Sequence, residues 1–269
     1  MSYVDFTSLY PSVMKCSVHA DPETFFSGTY YPVGQPRWLS ECEFISKIRT
    51  YNGPDLVEIM TSRNLCGFFT INCVSKKYSS YPTLHSTKNV RAEEKLVFSS
   101  ESFVNETYAW PEIEEAIRCD EIEEIKIIDG IIFDRGIGLF DNYVDFFFEV
   151  KNEANLEGNK GMEACAKLFL NSLWGKFGQK AYPVEEIVYD PRRLEKISED
   201  VITGEIELLS IESFDGQRAL IKYRTKNSTT KNRNTPHQLA AYVSCWGRVI
   251  LHRKLLHTFG NRILYCDTD

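Results

Sequence analysis

The sequence predicts an α+β fold, and three observations carry that expectation. β-prone, aromatic-rich runs fill residues 18–110 and 125–133. The apolar period then lengthens from two to 3.6 at Phe140. Short strands close both ends, one around Asp5 and one from Ile263 to Cys266. Taken in order, residues 3–6 read as a strand ending at Asp5. Ser8-Leu9-Tyr10-Pro11 then turns the chain into a helix starting at Tyr10 or Pro11, because proline is tolerated in a first helical turn. Residues 18–110 predict irregular β structure with loops, as in Gly67–Asn72. Trp110-Pro111-Glu112 opens a short helix to about Arg118. Ile125–Ile128 and Ile131–Phe133 flank Asp129-Gly130, a strand–turn–strand signal. Phe140, Tyr143, Val144 and Phe147 lie at i, i+3, i+4 and i+7, predicting a helix to about Lys151. Asn155–Gly161 breaks it, and a second helix covers Met162 to Trp174, making an antiparallel hairpin. Residues 181–234 return to β-prone and polar character, with Lys226–Asn234 as a basic loop. Thr235 as N-cap, Pro236, Gln238 completing a capping box and Gly260 past the end mark one more helix. A buried strand, Ile263–Cys266, then carries Asp267-Thr268-Asp269.

With 269 residues, 43% of them hydrophobic and 13% aromatic, the chain can build a sizeable core as one large or two small domains. No apolar run approaches the ~20 residues of a membrane span, and the first residues carry no basic-then-apolar secretory signal. None of the eight cysteines forms a C-x-x-C pair, which argues against zinc. Cys165, Cys245 and Cys266 lie in apolar runs and read as buried free thiols, implying a reducing, intracellular compartment. The net charge of −7 hides an asymmetry: Gly216 to Cys266 holds ten basic residues and no acidic one, leaving 21 basic against 38 acidic elsewhere. Such a segment is the electrostatic footprint of a polyanion site.

Three constellations carry chemistry. In an extended strand, Asp267 and Asp269 point to one face. With Asp5 they would make an oxygen-rich site for two Mg²⁺ ions, provided both chain ends meet. On a helix, Lys167, Asn171, Trp174 and Gly175 share a face that can hold phosphates, stack on a base and admit a close partner. The turn Ser8–Ser12 leads into a helix N-terminus that presents backbone N–H groups to an anion.

Asp5-Phe6-Thr7-Ser8-Leu9-Tyr10-Pro11-Ser12 resembles motif A of the family B DNA polymerases. Lys167-Leu168-Phe169-Leu170-Asn171-Ser172-Leu173-Trp174-Gly175 resembles motif B, with Trp174 where tyrosine is usual, and Tyr265-Cys266-Asp267-Thr268-Asp269 resembles motif C. Long intervals on either side of motif B resemble the protein-primed branch of phages, adenoviruses, linear plasmids and Polinton-like elements. The resemblance implies a palm (1–17 and 236–269) of antiparallel sheet and helices. A fingers hairpin (139–180) and β-rich insertions (18–138 and 181–235) complete the layout.

The resemblance further implies that Asp5, Asp267, Asp269 and the Phe6 carbonyl hold two Mg²⁺ ions, with Mn²⁺ as a substitute. Ser8, Leu9 and Tyr10 would bind the triphosphate, and Tyr10 would exclude a 2′-hydroxyl. Lys167, and more weakly Lys151, would neutralise phosphates, while Asn171 and Gly175 would line the nascent base pair. Lys176, Lys180, Arg248, Lys226 and Lys231 would contact DNA. The partners implied are primer-template DNA, deoxynucleoside triphosphates and a terminal protein that primes initiation, with no membrane. The family pattern continues past Asp269, so a fragment of poor or no activity is expected. Two other readings stand beside this one: a D-x-D glycosyltransferase using a nucleotide sugar, and a non-catalytic nucleic-acid-binding remnant.

Overall fold

The computed structural model describes residues 8–16, 28–41, 53–76, 81–90, 93–178, 184–188, 190–213, 218–225 and 235–263. The chain divides into two compact units, Met1–Lys176 with Gln238–Asp269, and Phe177–His237. Among the described residues no helix is long and apolar enough to cross a membrane.

The larger unit is built on an antiparallel sheet of four strands in the order β1 (Tyr30–Trp38), β6 (Ile122–Ile137), β2 (Leu65–Ser75) and β5 (Phe103–Ala109). In β2 the buried Phe69, Ile71 and Cys73 alternate with half-buried neighbours, the period of a strand with one covered face. Helix α3 (Trp110–Arg118) covers part of that face. It starts where Pro111 in its first turn leads the sequence to expect it, and Trp110, fully buried, packs edge-on against Phe69. The strands β3 (His85–Val90) and β4 (Glu93–Phe98) form a separate hairpin.

The expected turn at Asp129-Gly130 is absent, and β6 runs through it for sixteen residues. The reason is packing rather than turn geometry. A Cβ on Gly130 would lie 2.7 Å from the Phe69 ring and 2.8 Å from the Phe68 carbonyl, so glycine is needed for the approach of β2. The register against β2 slips between Thr70 and Ile71, leaving Ile128 as the extra residue of a bulge. An Asp-Gly pair reads locally as a turn, and only the facing strand shows it running through in register, with Asp129 opposite Thr70 and Gly130 opposite Phe69.

A second departure is helix α2 (Gly53–Ser62), inside the region read as irregular β structure. Its buried Leu56 and Met60 are four residues apart, the helical spacing. Helix α1 (Leu9–Met14) begins one residue before the predicted start.

The helical hairpin is present and longer than predicted, with α4 at Asp141–Leu156 and α5 at Lys160–Gly178. Gly158, at φ 72°, takes the left-handed position that ends α4. The amides of Gly158 and Asn159 bond back to Asn155 and Ala154 at 3.2 and 2.8 Å, a Schellman arrangement. The Asn159 side chain then accepts from Met162 N at 3.1 Å and caps α5. Phe147 stacks on Phe169 at 4.9 Å, and the Tyr143 hydroxyl donates to the Phe169 carbonyl, joining the two helices. Cys165, expected buried, is exposed on α5, because its apolar neighbours face outward too; Cys245 is buried as expected.

The last long helix, α7 (His237–Leu251), continues into a π-helical turn at His252–Leu256 and stops at Gly260, as the capping signals predict. It lies on the four-stranded sheet. The Tyr242 hydroxyl accepts from Gly67 N and donates to Gly67 O, both at 2.8 Å, and Trp246 Nε1 donates to the Tyr30 carbonyl at 2.8 Å.

The smaller unit has a three-stranded antiparallel sheet in the order β7 (Val184–Val188), β9 (Ala219–Thr225), β8 (Ile206–Ser213). One helix, α6 (Pro191–Ile202), packs on it through Ile197, against Val188, Ile206, Ile221 and Tyr223. The sequence reading had only β-prone and polar character here. The helix was nonetheless signalled: Asp190 accepts from Arg192 N at 3.0 Å and Pro191 opens the first turn.

Candidate active site

The expected site residues fall into three groups. Asp5, Phe6, Asp267, Asp269, Lys180, Lys226 and Lys231 lie outside the described residues, as do the strands that would carry the four metal-binding positions. Leu9, Tyr10, Lys151, Lys167, Asn171, Gly175 and Lys176 lie on α1, α4 and α5, with Ser8 just before α1. Arg248 lies on α7.

Helix α1 is short but firmly held. Leu9, Pro11, Val13 and Met14 are buried. The Val13 carbonyl accepts from the hydroxyls of Thr29 and Tyr31 at 2.7 and 2.8 Å. Lys15 pairs with Asp145, and Cys16 N donates to Asp141 Oδ1 at 3.0 Å, tying the end of α1 to α4. Ser8 precedes the helix at φ 61°, a left-handed conformation that few non-glycine residues adopt. Such strain recurs where a chain positions a functional turn.

Tyr10 projects from this helix onto α5, its ring centroid 4.3 Å from that of Trp174. On the other side it meets α7: a methyl group placed on Gly247 would lie 3.6 Å from Tyr10 and 3.7 Å from Leu9. The structure thus brings together three segments far apart in sequence, around Tyr10, Trp174 and Gly247. Lys167 and Gly175 are exposed, with open space beside Gly175, and Asn171 Nδ2 donates to the Lys167 carbonyl at 3.0 Å. Lys167 sits about 10 Å along the helix from Trp174. Lys151 lies over the Phe148 ring of α4 at 5.9 Å, away from this junction, and Lys176 is exposed in the last turn of α5.

The basic segment of residues 216–266 also makes ion pairs. Its charge is not all surface: Arg248 Nε donates to Glu112 Oε1 at 2.8 Å, and Arg253 Nε donates to Glu115 Oε2 at 2.6 Å. Both acceptors are buried on α3. The acid-free run is matched across the fold by an acidic helix. Glu112, Glu115 and Arg118 recur every three residues on the same side of α3, a signal that charge was meant to face inward.

Glu115 is the centre of a dense network. Besides Arg253 it accepts from Arg118 Nε and Nη2 at 3.0 and 2.6 Å, and His252 Nδ1 lies 3.4 Å away. Burial alone would raise its pKa; hydrogen bonds from His252, Arg118 and Arg253 outweigh this and hold the carboxyl well below the usual range. Burial likewise opposes the His252 imidazolium, yet bonds to Cys119, Glu115 and the Tyr81 carbonyl push its pKa up to about 10. Glu115, Cys119 and His252 bring potential metal ligands within 4.8 Å of one another. A divalent ion does not suit them, because guanidinium groups already occupy both Glu115 oxygens and the imidazole is protonated.

The network has a pH signature. A base whose pKa rises on folding stabilises fully below its unfolded value, and that contribution fades as pH climbs toward the folded one. Stability is therefore expected to fall as pH rises from 6.5 toward about 10. His85, whose pKa burial lowers from 6.5, acts in the opposite sense and below that window. The buried thiols of Cys73 and Cys66, pushed up to about 11 and 12, add to the loss only above 9.0. Urea midpoints measured between pH 6.5 and 9 should decline in the wild type and flatten in His252→Gln. Parallel curves for the two proteins would contradict the assignment.

Comparisons with known proteins complete the description. The sequence profile of the family described as DNA polymerase type B, organellar and viral, matches residues 1–244. A probable DNA polymerase of Neurospora intermedia is 25% identical over 146 residues, covering 54% of this chain and 14% of that protein. One from Agaricus bitorquis is 41% identical over 76 residues, 27% of this chain and 8% of the relative. The DNA polymerase of Bacillus phage PZA is 26% identical over 150 residues, 55% of this chain and 21% of its own length. Among solved structures, Phi29 DNA polymerase superposes with a TM-score of 0.56 at 18% identity, covering 98% of this chain and 37% of that one. Its ternary complex with primer-template DNA and incoming nucleotide substrates gives the same TM-score, identity and coverage. The chain spans about a fifth or less of these curated relatives and over a third of the Phi29 chain.

Proposed function

The chain belongs to the organellar and viral type B DNA polymerases, and from that premise we propose that it forms the palm and fingers of a DNA-directed DNA polymerase. The reaction is template-directed transfer of a deoxynucleotide to a primer 3′-hydroxyl, or to a terminal-protein hydroxyl at initiation. The hydroxyl oxygen attacks the α-phosphorus, the bond to the bridging oxygen of the β-phosphate breaks, and pyrophosphate leaves. The observation that most supports this reading is the packing of Tyr10 on Trp174 and beside Gly247. It joins the motif A helix to the motif B helix across more than 160 residues of sequence. A D-x-D glycosyltransferase has no use for that junction and finds no support in the family match.

Three carboxylates and a backbone carbonyl, from Asp5, Asp267, Asp269 and Phe6, are an all-oxygen donor set that fits hard divalent cations such as Mg²⁺, with Mn²⁺ as a substitute. When bound, the ions would stabilise the charge developing on the phosphates. The residues of the chain do the rest. The amides at Ser8, Leu9 and Tyr10 hold the triphosphate at the start of α1. The Tyr10 ring packs under the ribose, where a 2′-hydroxyl would collide with it. Lys167 neutralises phosphate as the hairpin closes, with Lys151 a weaker contributor, while Asn171 and Gly175 line the new base pair. Lys176, Lys180, Arg248, Lys226 and Lys231 take DNA phosphates, which set register without reading sequence.

The test is primer-template binding across a salt series, together with single-nucleotide incorporation in Mg²⁺ and in Mn²⁺. The expected result is affinity that declines steeply with salt, and weak incorporation that Asp5→Asn abolishes. Affinity indifferent to salt, or incorporation that survives Asp5→Asn undiminished, would overturn the proposal.

A further inference from the structure

Glu112 makes an ion pair whose form suggests more than structural support. Its side chain is 3% exposed, and a single oxygen, Oε1, lies 2.8 Å from Arg248 Nε and 2.7 Å from Nη2. Burial, and then the Glu112 charge, raise the pKa of the Cys245 thiol on the preceding turn of α7. His85 Nδ1 lies 3.7 Å from the same oxygen and has no hydrogen-bond partner. Arg248 differs from its partner in being 28% exposed. Two of its three nitrogens face the buried carboxylate, which leaves the remaining N–H edge pointing away from it. The next residue back, Gly247, faces Tyr10, so Arg248 lies one residue along α7 from that contact.

An apolar pair would pack at such a position without the desolvation that buried charges incur. A long arginine side chain loses much rotational freedom when held in one geometry, and the planar guanidinium then presents its other donors in a fixed direction. We propose that Glu112 is a positioning residue: it fixes the Arg248 guanidinium in one orientation on α7 so that the N–H edge turned away from the carboxylate meets a phosphate of the bound primer-template. This rests on the assignment of Arg248 to DNA in the preceding subsection. Glu112 itself touches no substrate.

The sign of one measurement separates positioning from plain electrostatics. Removing Glu112 makes the region one charge more positive, which by attraction alone would tighten DNA binding. Loss of positioning weakens it instead. Dissociation constants for a primer-template duplex would be measured over a salt series for the wild type, Glu112→Met, Glu112→Gln, Arg248→Met and the Glu112→Met/Arg248→Met double variant. Arg248→Met is expected to bind about tenfold more weakly and to lower the salt slope by about one. Glu112→Met is expected to weaken binding by a similar factor. Glu112→Gln, which keeps the shape and one acceptor, should fall between Glu112→Met and wild type. The double variant should be no weaker than Arg248→Met, since the two residues act as one unit.

Thermal melts check folding. If Glu112→Met does not fold, Glu112→Gln carries the sign test; if Arg248→Met does not, the double variant supplies the reference lacking Arg248. Binding by the Glu112 variants as tight as wild type or tighter overturns the inference, as does a Glu112→Met effect that persists undiminished without Arg248. A wild type with no salt-dependent affinity removes the polymerase reading and this inference together. A loss confined to Arg248→Met removes this inference alone.

Discussion

Glu115→Ala is expected to destabilise the chain by about 3–5 kcal/mol, the usual result of removing one partner from a buried charge network. Glu115 is fully buried and faces Arg118, Arg253 and His252. Without it, Arg118 can swing toward water, because its side chain is already 41% exposed. Arg253, at 16%, and His252, at 5%, have no such exit. His252 would keep Glu121, 3.6 Å from Nε2, and the Tyr81 carbonyl but lose its Glu115 partner, so the alkaline decline in stability should shrink in the variant. Chemical denaturation at neutral pH gives the energy, and a loss below about 1 kcal/mol would show that the network contributes little.

Trp246→Ala is expected to cost a similar amount, about 3–5 kcal/mol, by a different route. The indole has no solvent exposure and meets the Tyr30 ring edge-on at 5.1 Å. Its removal leaves a cavity between α7 and β1. It also leaves the Tyr30 carbonyl without the Trp246 donor, and Trp246→Phe isolates that part, expected at about 1–3 kcal/mol. Denaturation midpoints for the two variants separate cavity from hydrogen bond. Equal losses would mean that packing contributes nothing beyond the donor.

Both predictions concern partners of α7 or of the π-helical turn that continues it, and this stretch shows how far a sequence can be read. Its limits were legible: Thr235, Pro236 and Gly260 bracket the helix, and the structure agrees. Capping and the left-handed glycine are decided within a few residues, so local sequence suffices. The same holds for α3, which begins and ends where Trp110-Pro111 and Arg118 predict, and for the hairpin broken at Gly158. The partners of Arg248 and Arg253 were not legible. Nothing in an acid-free stretch holding ten basic residues says that two of them, Arg248 and Arg253, meet Glu112 and Glu115 of α3 from more than 130 positions away.

The same division governs the candidate site. Spacing made Ser8–Ser12 and Lys167–Gly175 candidates for phosphate and base, and their resemblance to motifs A and B is what gave them roles. Nothing in either segment says that Tyr10 rests against Trp174, or that α7 passes beside both; that is a consequence of how the sheet and helices pack. Asp129-Gly130 makes the point from the opposite direction, since its local preference for a turn yields to the close approach of Phe69. The amino-acid order by itself determined the α+β class, the limits of α3 and α7 and the family. The tertiary structure decided which charges are buried, which glycine lets two strands approach and which rings touch. Short-range sterics and hydrogen bonds settle the first set, whereas the second depends on neighbours that only folding supplies.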